Sequence, residues 1–120
     1  MVGSSTDKTT KERNKTAAKN ILRTLPYEKG FHFFFTDGHY TGETAVSLLT
    51  FAKDLEAQDI QSIRFHFERG DFQKWIKTSI GDEELAKRIN SLTKKASDED
   101  LRKQLSEILQ KRLLELQAAK

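Results

Sequence analysis

Any chemistry in this chain must come from three histidines, a scatter of carboxylates, a row of basic residues or a run of phenylalanines. The histidines are His32, His39 and His66. A metal centre needs three or four ligands converging on one point, and no two of these histidines stand an i, i+4 step apart. His66, inside FHFERGDF and four residues before Gly70, reads as a packed or hydrogen-bonded structural histidine. Glu68, Asp71, Asp82, Glu83 and Glu84 are dense enough to suggest acid–base work, but no pattern holds two of them across a cleft. Asp71 and Asp82 fall where helix N-caps are expected. The chain has neither a Gly-x-Ser-x-Gly nucleophile turn nor a glycine-rich phosphate loop. With no cysteine, thiolate nucleophiles, disulfides and sulfur-ligated zinc are excluded. These residues therefore single out no catalytic, cofactor-binding or metal-ligating position, and the expectation is a protein that is not an enzyme and holds no cofactor.

The basic residues are more suggestive. Residues 1–30 hold seven Lys or Arg against three acids, a balance of 7 − 3 = +4, whereas the remainder is nearly neutral. On a helix, Lys8, Lys11, Lys15, Lys19 and Arg23 follow steps of three or four and form one ridge. Such a ridge can neutralise phosphates along a nucleic acid, or simply be a solvated face. It has no interleaved aromatics, which argues against sequence-specific readout.

The aromatic cluster comprises Tyr27, Phe31, Phe33, Phe34, Phe35 and Tyr40. It offers a stacking platform or a partner's anchor, though the plainer reading is core. Successive strand residues alternate faces, so Phe33, Phe34 and Phe35 cannot all point inward.

The elements that must position these groups follow from pattern and caps. Residues 1–10 have too little apolar surface to offset the entropy of ordering and read as a disordered tail. Residues 11–25 permit a basic helix or arm, which Pro26 stops. GFHFFFT predicts a short strand near residues 31–36, and DGHYTG predicts a loop or tight hairpin after it. Four short helices follow, with Ser47, Asp59, Asp71 and Asp82 as caps and Gly70 and Gly81 as stops. A longer amphipathic helix spans 97–119, with Ser97 at its cap, an acidic first turn and a stripe through Leu101, Leu105, Ile108, Leu109, Leu113 and Leu116. The expected fold is mainly α: a compact bundle of about five to six short helices, with a short strand or hairpin near residues 31–36 and a longer C-terminal helix. One domain accounts for 11–120, its core lying over 31–95. The absence of a long apolar run predicts no membrane partner and a cytoplasmic protein.

In order, GETAVSLLTFAKDL, FHFERGDFQKWI and IGDEELAKRI resemble a family of small, mainly archaeal helical domains of unknown function. The positions that carry the resemblance are Ser47, Leu48, Phe65, His66, Gly70, Asp71, Phe72, Trp75, Ile76, Gly81, Asp82, Leu85 and Ala86. It covers roughly residues 31–89 and implies a shared fold without an activity; the basic arm and the last helix lie outside it. The leading expectation is therefore an interaction or adaptor domain that meets a protein partner, or a second copy, through Leu109, Leu113 and Leu116 of the last helix. The competing expectation is nucleic-acid binding through Lys8, Lys11, Lys15, Lys19 and Arg23.

Overall fold

The computed structural model describes the backbone from Val2 to Lys120 and the side chains from Glu12 onward. The backbone of residues 2–10, expected to be a disordered tail, belongs to a helix continuous with the basic segment, whereas the Lys8 and Lys11 side chains lie outside the described residues. The elements in chain order are α1 (Val2–Ile21), β1 (Phe31–Thr36), β2 (His39–Ala45), α2 (Leu48–Ala57), α3 (Ile60–Arg69), α4 (Asp71–Trp75), α5 (Glu83–Asn90) and α6 (Asp98–Ala119). A short 3-10 turn at Tyr27–Lys29 precedes β1, and a π-helical turn at Ile76–Ile80 continues α4. The fold is thus mainly helical, with one two-stranded antiparallel hairpin and a long final helix.

The caps explain most of the helix boundaries. Ser47 accepts from the Thr50 amide while the Thr50 hydroxyl accepts from the Ser47 amide, a reciprocal capping box. Asp59, Asp82 and Ser97 each accept from a first-turn amide of α3, α5 and α6. Gly70 and Gly81 stop the helices before them at φ 75° and 88°, a left-handed geometry costly to any residue with a Cβ. Asp71 does not cap α4 as expected. It is the first residue of that helix, and its carboxylate turns back to His66 and Arg69.

The hairpin pairs Phe31 with Ala45, His32 with Thr44, Phe34 with Tyr40 and Thr36 with His39. Between the second and third pairs β1 advances two residues and β2 four, a bulge centred on Gly42 at φ 97°. Alternation then sorts the aromatics: Phe31 and Phe33 enter the core, while His32 and Phe34 face outward and are half-buried. Phe31 meets Phe33, Phe51, Phe72 and Trp75 at ring-centroid distances of 4.9–5.6 Å, Phe33 stacks on Phe51 at 5.8 Å, and Phe51 lies 5.1 Å from Trp75. The indole N–H of Trp75 donates to the Lys29 carbonyl at 2.9 Å, which ties the 3-10 turn to α4.

Helix α6 runs along α1, α2 and α5. Leu101, Leu105 and Leu109 are fully buried there, and Leu113 and Leu116 are 7% and 4% exposed. The stripe is therefore covered by the chain's own helices, which corrects the expectation that Leu109, Leu113 and Leu116 form a protein-binding or self-association surface. A period of three and four leucines reports only that a face is apolar, and here the intramolecular core buries it.

Candidate functional site

Turned outward from the aromatic core, the hairpin carries a different surface. His32 Nδ1 lies 2.8 Å from the Thr44 hydroxyl, Thr44 lies 2.6 Å from the Tyr40 hydroxyl, and Tyr40 lies 3.1 Å from the Tyr27 hydroxyl. These four groups come from the 3-10 turn, β1 and β2, and the strand register places them on one face. The chain of hydrogen bonds holds two tyrosine rings in place while leaving them in solvent, Tyr27 at 61% and Tyr40 at 42% exposure. Its hydrogen bonds to Thr44 and then Tyr40 hold the Tyr27 hydroxyl below the ordinary phenol range. For Tyr40 the bond to Thr44 acts in the same direction but is outweighed by Tyr27 and partial burial, which move this hydroxyl upward.

Beside this face lies a cleft of about 420 Å³ between β1, the hairpin turn and α3, its walls including His32, Phe34, Asp37, Phe65 and Arg69. Arg69 sits 4.8 Å over the Phe65 ring and reaches both Asp71, at 3.3 Å, and Asp37, at 3.6 Å. At the back of the cleft is His66. Its Nε2 accepts the Phe34 amide at 2.8 Å, so that nitrogen carries no proton, and Nδ1–H donates to Asp71 Oδ2 at 2.8 Å. Burial pushes the His66 pKa down, against the opposing pull of Asp71. A carboxylate oriented on an imidazole is the arrangement of a general base, but the nitrogen that would take a proton already holds a backbone amide. His66 instead fastens the outer edge of β1 to α3, in keeping with the structural histidine expected from FHFERGDF.

The three histidines do not converge. His39 Nδ1 meets the Thr36 hydroxyl and the Asp37 carbonyl in the turn, away from His66. Among the described residues no group of three or more His, Asp or Glu side chains is placed to hold a metal ion. No described helix is long and apolar enough to cross a membrane.

The basic ridge is not continuous. Lys15 and Lys19 are exposed on α1. Arg23 lies beyond the helix end and donates to the carbonyls of Asn20 at 2.7 Å, Ser79 at 2.8 Å and Ile80 at 3.0 Å. It serves as a clasp on the end of the π turn, which corrects its place in the ridge. Helix α1 ends at Ile21, four residues before the expected end, because Leu25 gives its amide to the Val46 carbonyl at 2.7 Å.

A second polar constellation was not legible as a unit. Arg112 of α6 grips buried Asp82 with two bonds, at 2.8 and 3.1 Å, and also meets Glu115 at 3.1 Å. Arg88 of α5 takes both oxygens of the same Glu115, and the pair of guanidiniums holds the Glu115 carboxyl down to about 2. No short spacing signals this network, since Asp82 and Arg112 are thirty positions apart.

Comparison with known families matches residues 39–120 to a family of unknown function (DUF5752). The match takes in α6, so the last helix is part of the shared region, contrary to the expectation that it lies outside, and β1 with everything before it is not. No curated protein and no solved structure gives a significant match.

Proposed function

The chain belongs to this family of unknown function, and we propose that it is a non-catalytic interaction domain whose contact surface is the outer face of the hairpin rather than its last helix. The supporting observation is the pair of solvent-exposed tyrosines, Tyr27 and Tyr40, held rigid by hydroxyl bonds to each other and to Thr44. Tyrosine and arginine are among the side chains that most often anchor protein contacts, tyrosine because it buries much area while losing little rotamer freedom. Here they stand beside Arg69 and a partly apolar cleft. A protein partner's side chain entering that cleft would meet Phe34 and Phe65 along its walls and Arg69 and Asp37 at its rim. The His66–Asp71 pair, with its acceptor nitrogen occupied, argues against an enzyme.

The nucleic-acid alternative rests, among the described residues, on Lys15 and Lys19 without Arg23, and is the weaker reading. Photo-crosslinking separates the two. With a photoreactive residue in place of Tyr40, cells producing the protein should yield a discrete polypeptide adduct that disappears when Tyr27→Ala is added. Each tyrosine-to-alanine change should weaken that partner's binding by about 2 kcal/mol, or about thirtyfold. Equal adducts from a probe at Leu114, which is exposed on α6, or adducts to nucleic acid alone, would overturn the proposal.

A further inference from the structure

We infer that the groove between α4 with its π turn and α5 binds a small phosphorylated metabolite. The groove has a volume of about 610 Å³, within the ~300–1,000 Å³ of small-molecule sites. Lys74 and Lys77 line it from one side, Lys87 and Asn90 from the other, with Thr78 and Gln73 between.

Three features single it out. First, three lysines converge on the groove, and no ion pair engages them, as none engages any lysine among the described residues, whereas Arg64, Arg69, Arg88 and Arg112 each hold a carboxylate. With Glu83 as the one acid on the lining, the groove carries 3 − 1 = +2. Lysine binds phosphate as a point charge with three donors, and a dianionic phosphate matches this balance.

Second, Lys77 and Thr78 lie in the π turn, a rare geometry that inserts a residue into a helix and is concentrated at functional sites. Third, the Gln73 side-chain oxygen is sealed from solvent without a hydrogen-bond partner. The Gln73 side chain lines the groove, and turning its amide outward would bring this acceptor to the donor that a ligand hydroxyl supplies. Phosphate with neighbouring hydroxyls is the chemistry shared by sugar phosphates and nucleotides. The size of the groove, that of a single small molecule, favours such a ligand over a polymer. The groove also lies wholly within the residues matched to the family, and it is separate from the hairpin face, so neither proposal depends on the other.

The test is titration of the isotope-labelled full chain with ribose 5-phosphate and with ADP, followed by amide chemical shifts at about 150 mM salt. Saturable shifts should centre on Lys74, Lys77, Thr78, Lys87 and Asn90, and the compound giving the tighter curve identifies the ligand class. Lys77→Gln and Lys87→Gln should each weaken binding by about tenfold with the fold intact by circular dichroism, while Lys103→Gln on α6 should change nothing. Shifts that never saturate, shifts spread equally over Lys15, Lys19 and Lys103, or groove shifts with a short single-stranded RNA and neither small phosphate would overturn the inference.

Discussion

Replacing Arg112 by methionine should destabilise this protein severely, and a second substitution should restore much of the loss. The Asp82 side chain is 1% exposed, and Arg112 supplies two of its hydrogen bonds while the Leu85 amide supplies a third. Arg112→Met leaves a buried carboxylate with only the amide, a defect worth about 3–5 kcal/mol. Methionine keeps the apolar stem over the core, so little of this loss comes from packing. Asp82→Asn keeps the cap, because asparagine serves there about as well as aspartate. Its cost is the charged pair, about 1–2 kcal/mol, since Arg112 remains bonded to Glu115 and is 17% exposed. In the double variant no charge is stranded, and the expected loss is again about 1–2 kcal/mol. The coupling energy is therefore about 3–5 kcal/mol, enough to make the double variant more stable than Arg112→Met alone. Urea unfolding of the four proteins, with the slopes compared to confirm two-state behaviour, measures it. Additive losses, or a double variant less stable than either single one, would refute the reasoning that isolation of Asp82 is the dominant cost.

Two further outcomes follow from the same reasoning. Burial holds the His66 pKa below 6.5, so the unfolded chain takes up the proton first; the contribution of this residue is complete above 6.5 and is lost as the pH falls below it. Denaturation midpoints should fall on acidification in that range, by no more than about 1.4 kcal/mol per pH unit, and His66→Gln should flatten the slope; an unchanged slope would remove His66 as its source. A methyl group on Gly30 would stand 2.7 Å from the Ala45 carbonyl oxygen and 2.8 Å from the Thr44 methyl. Gly30→Ala should therefore force the strands apart and cost about 1–3 kcal/mol, read as a lowered melting temperature; an unaltered one would contradict this close approach.

The helices from Ser47 to Asn90 were legible because α2, α3 and α5 each begin at a residue whose side chain satisfies a free amide, and α3 and the π turn after α4 end at a glycine that turns left-handed. Local signals of that kind lie within a few residues of what they determine. The second strand was less legible: HYTGETA has no apolar alternation, and its pairing comes from β1 and from the Asp37–Gly38 turn rather than from its own side chains. Asp71 looked like a cap because it follows a glycine, but its carboxylate has a stronger partner in His66, five residues back. The leucine stripe of α6 was read correctly as apolar and wrongly as free, since its cover comes from helices far away in the sequence. The candidate hairpin face was half-visible. Tyr27 and Tyr40 stood in the aromatic cluster, whereas Thr44 and His32 join them only through a register that the Gly42 bulge shifts.

The clasp that Arg23 places on Ser79 and Ile80 bears on where this domain can be cut. Sequence kinship begins at residue 39, yet Arg23 closes a turn within the matched region, Lys29 receives the Trp75 indole, Phe31 packs between Phe51 and Phe72, and Phe33 stacks on Phe51. A fragment starting at residue 39 would lose two aromatic rings from its interior and expose the faces of α2 and α4 they cover. The border of similarity is thus not a border of folding: residues 23–38 are part of the same folded unit, and any truncated version for study must retain them together with Ala18 and Ile21, which α1 places in the core.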